Sequence, residues 1–115
     1  MTDGPTQLVR LLAEVAARDR AAFAALYNLT SAKLYGVILR ISRRRDLADE
    51  VMQEVYVKIW ERAADFDPAR ASPIAWMAAI ARNRALDELR RVVGRGERLR
   101  TRGYSMVLLL FYRGY

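Results

Sequence analysis

DFDPARASPIAWMAAIARNRALDELRRVV, residues 65–93, is the stretch on which the fold turns. Asp65 to Ala71 reads as irregular chain. Ser72-Pro73 is a helix start: Ser as N-cap, its oxygen able to accept an orphan N–H, and Pro at the first helical position, where no N–H is needed. From Ile74 the pattern is helical and ends near Gly94, a residue suited to the left-handed turn after a helix. At about 100° per residue, Ile74, Ala78, Ala81, Ala85, Leu89 and Val92 share one side. Trp76, Ile80, Asn83, Asp87 and Arg90 form a ridge on the other, flanked by Arg84 and Arg91. A large aromatic, an amide and arginines on an outer face suit single-stranded nucleic acid: bases stack on the ring or bond the amide, and phosphates pair with guanidinium groups. The alternative is an amphipathic helix with a solvated basic face and a Trp folded back at its margin.

The whole chain is consistent with one helical domain. At 115 residues it is long enough for a real core but not for two, and its 53% hydrophobic and 29% charged residues suit a globular protein. There is no cysteine and no histidine. That excludes disulfides, thiolate or imidazole metal sites, and catalysis by His or Cys. The expectation is no metal site and no cofactor. The N-terminus lacks the basic-then-apolar order of a signal peptide, and no apolar run approaches the roughly 20 residues that span a bilayer. A cytoplasmic protein without membrane insertion is expected.

Charge is unevenly placed. Lys and Arg total 20 against 13 Asp and Glu, a net +7, and 18 of the 20 bases are Arg. Arginine favours planar anions such as phosphate, although a high-GC genome also enriches it. Residues 46–67 hold seven acids and two bases, whereas residues 82–102 hold eight arginines and three acids. A chain built this way can offer an acidic face to one partner and a basic face to another.

Taken in order, residues 6–17 carry Leu8, Leu11, Leu12 and Val15 at helical spacing. Asp19 is a candidate N-cap for a second short helix with Phe23, Leu26 and Tyr27 as its stripe. Thr30 is a candidate cap for a third, from Ser31 towards Ile41. Its exit is Arg43-Arg44-Arg45, cations that complement a helix C-terminus. Asp46 then begins another helix, and Asp49, three residues on, resembles a capping box with Asp in place of Glu. Leu47, Ala48, Val51, Met52, Val55 and Ile59 define its core side. Asp49, Glu50, Gln53, Glu54 and Glu61 lie outside with Val57 and, at the edge, Trp60. Dipole compensation accounts for Asp46, Asp49 and Glu50. An apolar Val, an amide and a Trp amid carboxylates fit a protein-docking surface better. Nothing reads as strand, so the fold class is all-α, a compact helical bundle.

Three spaced motifs carry a resemblance: Asp46 through Gln53-Glu54-Val55 to Trp60, then Phe66-Asp67-Pro68-Ala69-Arg70, then Trp76 through Ile80, Asn83 and Asp87 to Arg91. In that order they resemble region two of an extracytoplasmic-function sigma factor of the sigma-70 family. Asp19 to Tyr27 and Leu34-Tyr35 are similar to that family's opening helices, and the resemblance spans roughly residues 8–93. It implies a domain at residues 1–93, with Asp49, Glu50, Gln53 and Glu54 docking on the β′ clamp helices of core RNA polymerase. It implies that the loop from Phe66, with Asp67 and Arg70, takes a flipped base of the promoter −10 non-template strand. Trp76, Arg82, Asn83, Asp87, Arg90 and Arg91 would then read neighbouring bases and phosphates. Arg82 sits roughly 80° round towards the core side and fits a stem-packing role as well. The function implied is promoter −10 recognition and melting, with no enzymatic step and with an anti-sigma factor as regulator. An adaptor that binds polymerase or an anti-sigma protein without reading DNA is the other reading open here.

The sequence also departs from that family. Pro73 stands where an aromatic or aliphatic residue is common. Residues 94–115 read as a basic linker and an apolar tail, Met106 to Tyr115, resembling the start of region four and stopping before its recognition helix. Val107 to Tyr112 has the composition of an exposed strand, so this tail is expected to dock on the bundle, to dock on another chain, or to aggregate.

Overall fold

Helices α1 (Gly4–Ala16), α2 (Arg20–Ser42), α3 (Arg45–Arg62) and α4 (Pro73–Gly94) make up almost all of the described part of the computed structural model, residues 4–94. One 3-10 turn, Ala63–Asp65, follows α3. No strand occurs among the described residues. The all-α expectation holds. The 106–115 tail and its expected docking lie outside the described residues.

The four helices converge on one core. Leu12 and Val15 of α1, Leu26, Leu34 and Ile38 of α2, Val51, Val55 and Ile59 of α3, and Met77, Leu86 and Leu89 of α4 are all buried. Each fully buried aliphatic side chain of this size stabilises the fold by about 1.5–3 kcal/mol before entropy is counted. The core side expected for α3 is buried at every position named, and Tyr56 joins it. On α4 the buried face is rotated slightly from the expected one. Ala81, Ala85, Leu89 and Val92 are buried, but Ile74 and Ala78 are only half-covered, while Met77, Leu86 and Glu88 go inside.

Two expectations about helix ends need correction. Thr30 caps nothing: α2 runs unbroken through it, and its hydroxyl donates to the Leu26 carbonyl at 2.7 Å. That back-bond to the preceding turn lets a buried Thr satisfy its O–H inside a helix, so a cap-type residue did not stop one. The capping box at Asp46 is also absent. α3 starts at Arg45, Arg44 is its N-cap with no side-chain cap bond, and Asp46 lies in the first turn bound by Arg44. Arg43-Arg44-Arg45 is the helix exit expected, and it is also the joint to α3. Arg43 closes α2 in the left-handed conformation (φ 59°), its N–H donating to the Leu39 carbonyl at 2.8 Å. The two caps at Asp19 and Ser72 are as expected, accepting from the N–H groups of Ala22 and Ala75, each at 3.1 Å.

Joining the second and third expected helices has a further consequence. At 23 residues, α2 is long and apolar enough, by length and composition alone, to cross a membrane. Its apolar residues form no continuous run of that length, since Asn28, Lys33 and Arg40 interrupt them. Leu26, Leu34 and Ile38 point into the bundle core.

Candidate nucleic-acid and polymerase interfaces

The acidic side of α3 is shaped as well as charged. Asp49, Glu50 and Gln53 are exposed, and Val57 is 54% exposed. Gln53 stands between two clefts. One, about 600 Å³, lies between α2 and α3 and is lined by Tyr27, Tyr35, Met52 and Tyr56, with Asp49 at its edge. The other, about 390 Å³, lies between α3 and α4 and is lined by Glu54, Val57, Lys58, Glu61 and Arg84. An amide crest with an aromatic hollow on one flank, a charged one floored by Val57 on the other, and carboxylates around it suits a basic helix that offers apolar side chains. Burial, with the Asp49 carboxylate close by, pushes the Tyr35 hydroxyl above its usual range, keeping it a neutral donor.

Trp60 does not belong to that surface. Its ring meets Phe23 edge-on at 5.2 Å, and the Arg18 guanidinium lies 5.0 Å above it. Arg18 also donates to the Trp60 carbonyl, an interaction that helps hold its own left-handed backbone (φ 68°) at the α1–α2 turn. The docking reading of Trp60 gives way to a structural one.

The loop before α4 is pre-shaped. The Asp67 carboxylate accepts from the Ala69 N–H at 2.9 Å, and the Asp67 carbonyl accepts from the N–H of Arg70 at the same distance. This is an Asx-turn, and it leaves the Arg70 side chain exposed. Phe66 is half-buried, its ring 5.6 Å from that of Trp76 in an edge-to-face contact. With Pro68 it closes a third cleft of about 330 Å³ against Val9, Ala13 and Ala16 of α1. Such a paired-ring platform beside a hollow can receive a planar base. Pro73 is buried as the first residue of α4 and leaves the loop able to cap the helix through Ser72.

Along α4, Asn83 and Asp87 are exposed and Trp76 and Arg90 are half-buried, so the expected ridge exists. Asp87 and Arg90 pair across one turn at 3.4 Å. Arg82 is half-buried with its Nε sealed from solvent, which matches stem packing more closely than an outward contact. Arg84 turns away from the ridge. It bonds Glu54 of α3 at 2.5 Å and Glu88 at 3.1 Å, and Glu88 also holds Arg91 at 2.6 Å. The Arg84–Glu88–Arg91 spacing of four and then three was open to reading in the sequence. The cross-helix partner Glu54 was not, because only folding brings α3 and α4 together.

The described residues thus form an all-helical domain with an acidic crest on one helix and an aromatic, amide and arginine ridge on the next. The chain belongs to the Sigma-70 region 2 family, whose model matches residues 26–94. It is 41% identical over 85 residues to the ECF RNA polymerase sigma factor SigK of Mycobacterium sp. (strain KMS), a match covering 74% of this chain and 44% of that protein. It is 39% identical over 85 residues to the protein of the same name from Mycobacterium tuberculosis (strain ATCC 25618 / H37Rv), covering 74% and 46%. The chain thus spans less than half the length of these relatives.

Proposed function

We propose that this chain acts in transcription initiation as the promoter-recognition domain of an alternative sigma factor. In this reading residues 1–93 form the sigma domain, and residues 94–115 are a basic linker and apolar tail resembling the start of region four. The acidic crest of α3, through Asp49, Glu50, Gln53 and Glu54, docks on the β′ clamp helices of core RNA polymerase. The Phe66–Ser72 loop takes a flipped −10 base of the non-template strand, with Asp67 shaping it and Arg70 beside it. Trp76, Asn83, Asp87 and Arg90 face the neighbouring bases, and Arg91 the phosphates, while Arg82 supports the helix from its inner flank. The protein works in the cytoplasm, makes no covalent bond to its nucleic acid, and is held in check by an anti-sigma protein.

One observation carries the reading: Gln53 and Asn83 are both exposed, on adjacent helices, each at the centre of the surface assigned to it. The energetics are coherent. Flipping a base costs a few kcal/mol, and stacking returns about 1–3 kcal/mol per base, with pocket hydrogen bonds and phosphate contacts adding to it. The test is selection from a DNA library randomised across a −10 window, with the full chain alone and with bacterial core polymerase. Enrichment of one motif only when both proteins are present supports the proposal. Polymerase binding with no enriched motif would leave an adaptor, and neither would remove both readings.

A further inference from the structure

Glu88 stands out among the acids of α4. Its side chain is only 5% exposed, yet it lies beside a helix face open to solvent. A carboxylate is stable there only because it is paired, and both partners are arginines of its own helix. Arg84 and Arg91 donate to the same oxygen, Oε1, at 3.1 and 2.6 Å. Arg84 is itself 15% exposed and clamped to Glu54 of α3, so the carboxylate is anchored to the bundle from behind. Arg91 differs: its side chain is 59% exposed. The bond to Glu88 uses Nη2, and a guanidinium has five N–H donors, so an outward edge remains for an anion.

We propose that Glu88 is a positioning residue for nucleic-acid binding: anchored through Arg84 to α3, it holds the Arg91 guanidinium in the pose from which Arg91 meets the backbone phosphates. The inference rests on the reading of α4 as the nucleic-acid face and adds a residue to it. Its physical basis is entropy. An unrestrained arginine loses rotamer freedom when it binds phosphate, and Glu88 imposes that loss beforehand. The geometry also sets a sign that simple charge counting does not share. Neutralising Glu88 makes the surface more positive and by charge alone would tighten binding to DNA. Loss of positioning weakens it.

The experiment measures binding of the full chain, alone and together with bacterial core polymerase, to a labelled, mixed-sequence single-stranded DNA by fluorescence anisotropy across a salt series. The parent, Glu88→Gln, Arg91→Ala and the double variant are compared, with thermal unfolding to check that each folds. The expected result is that Glu88→Gln binds about three- to ten-fold more weakly. Its salt slope should be shallower by about 0.7, the share of one phosphate contact on a single strand. In the Arg91→Ala background the same change should have no weakening effect. Should Glu88→Gln not fold, Glu88→Asp keeps the charge, retracts the carboxylate by one methylene, and should show the same weakening. Tighter binding with a steeper slope, or equal weakening in both backgrounds, overturns the role of Glu88 while leaving the nucleic-acid face intact. A parent chain that adds no binding to the strand at any salt, alone or together with core polymerase, overturns both.

Discussion

The two seams of α3 are closed by opposite chemistry. Against α2 the contact centred on Tyr56 is neutral and aromatic: beneath the open cleft, Tyr56 packs on Tyr27 and Phe23, and its buried hydroxyl meets Thr30 at 2.6 Å. Because the single Thr30 hydroxyl proton goes to the Leu26 carbonyl, Tyr56 is the donor in that pair. Against α4 the contact is charged and half-open, a run from Glu54 through Arg84 and Glu88 to Arg91 that ends in solvent. A neutral pair with both hydroxyls satisfied fixes the register of two helices without carrying charge to the surface. A chain of charges leads outward from the acidic crest to the basic ridge. The first seam is therefore expected to carry stability and the second to carry binding.

The strongest way to break that contrast is at Tyr56. Removing a buried aromatic in Tyr56→Ala should cost about 3–5 kcal/mol, read as the shift of a urea unfolding midpoint. Tyr56→Phe should cost about 1 kcal/mol, the share of the hydroxyl pair. Alkaline pH separates these further. Burial pushes the Tyr56 hydroxyl up to about 12, against 10.0 for an ordinary phenol. The unfolded chain thus loses this proton first, and the stability contributed is intact below about pH 10 and falls as pH rises towards 12. Tyr56→Phe should show less of that fall. An alkaline profile unchanged by Tyr56→Phe would mean the hydroxyl is not buried in solution.

On the outer face of α4 the expected effect is smaller and of another kind. Asn83→Ala should lower discrimination at one −10 position by about 1–3 kcal/mol in the complex with core polymerase, with stability almost unchanged. Arg91→Ala should instead weaken binding on all sequences and flatten its salt dependence. Equal losses on every sequence for both variants would erase the distinction between a base-facing amide and a phosphate-facing arginine.

The two seams also mark what could be read without coordinates. The core side of α3 from Leu47 to Ile59, and the exposed ridge through Asn83, follow from helical periodicity, which needs no partner to be visible. The caps at Asp19 and Ser72 are local as well. What was not legible depends on contacts far apart in the chain. Thr30 looks like a cap until its neighbour Tyr56 is known, and Trp60 looks like part of a docking face until Phe23 and Arg18 close over it. Glu54 and Arg84 are thirty residues apart and become a pair only when α3 and α4 pack. The apolar face of α4 was misplaced for the same reason: Met77 and Leu86 are buried because other helices flank α4 on both sides.

The charged seam can be tested at its inner end. Glu54→Gln removes one partner of Arg84, which keeps Glu88. With Glu54 nearly half-exposed, screening limits the loss to under about 1 kcal/mol, and added salt should shrink it further. A loss as large as that of Tyr56→Ala, and unaffected by salt, would show that this seam carries the fold after all.

The smallest effect belongs to the joint where both seams begin. Arg44 grips Asp46 through two bonds, 3.2 and 2.8 Å, and this hydrogen bonding holds the Asp46 carboxyl below its usual 3.8. A depressed carboxylate stabilises the fold above its unfolded value and loses that contribution as pH falls through its folded one. Asp46 is 67% exposed, so the pair is well screened. Asp46→Asn should therefore lower the melting temperature only slightly near neutrality, and the gap between variant and parent should begin to narrow near pH 3.8 and close as the pH falls through the lower folded value. The acid at the start of α3 also opposes the positive end of the helix dipole, an effect that vanishes over the same range. Arg44→Gln separates the two: it removes the grip but leaves the dipole contact, so a smaller gap for Arg44→Gln than for Asp46→Asn assigns the remainder to the helix itself.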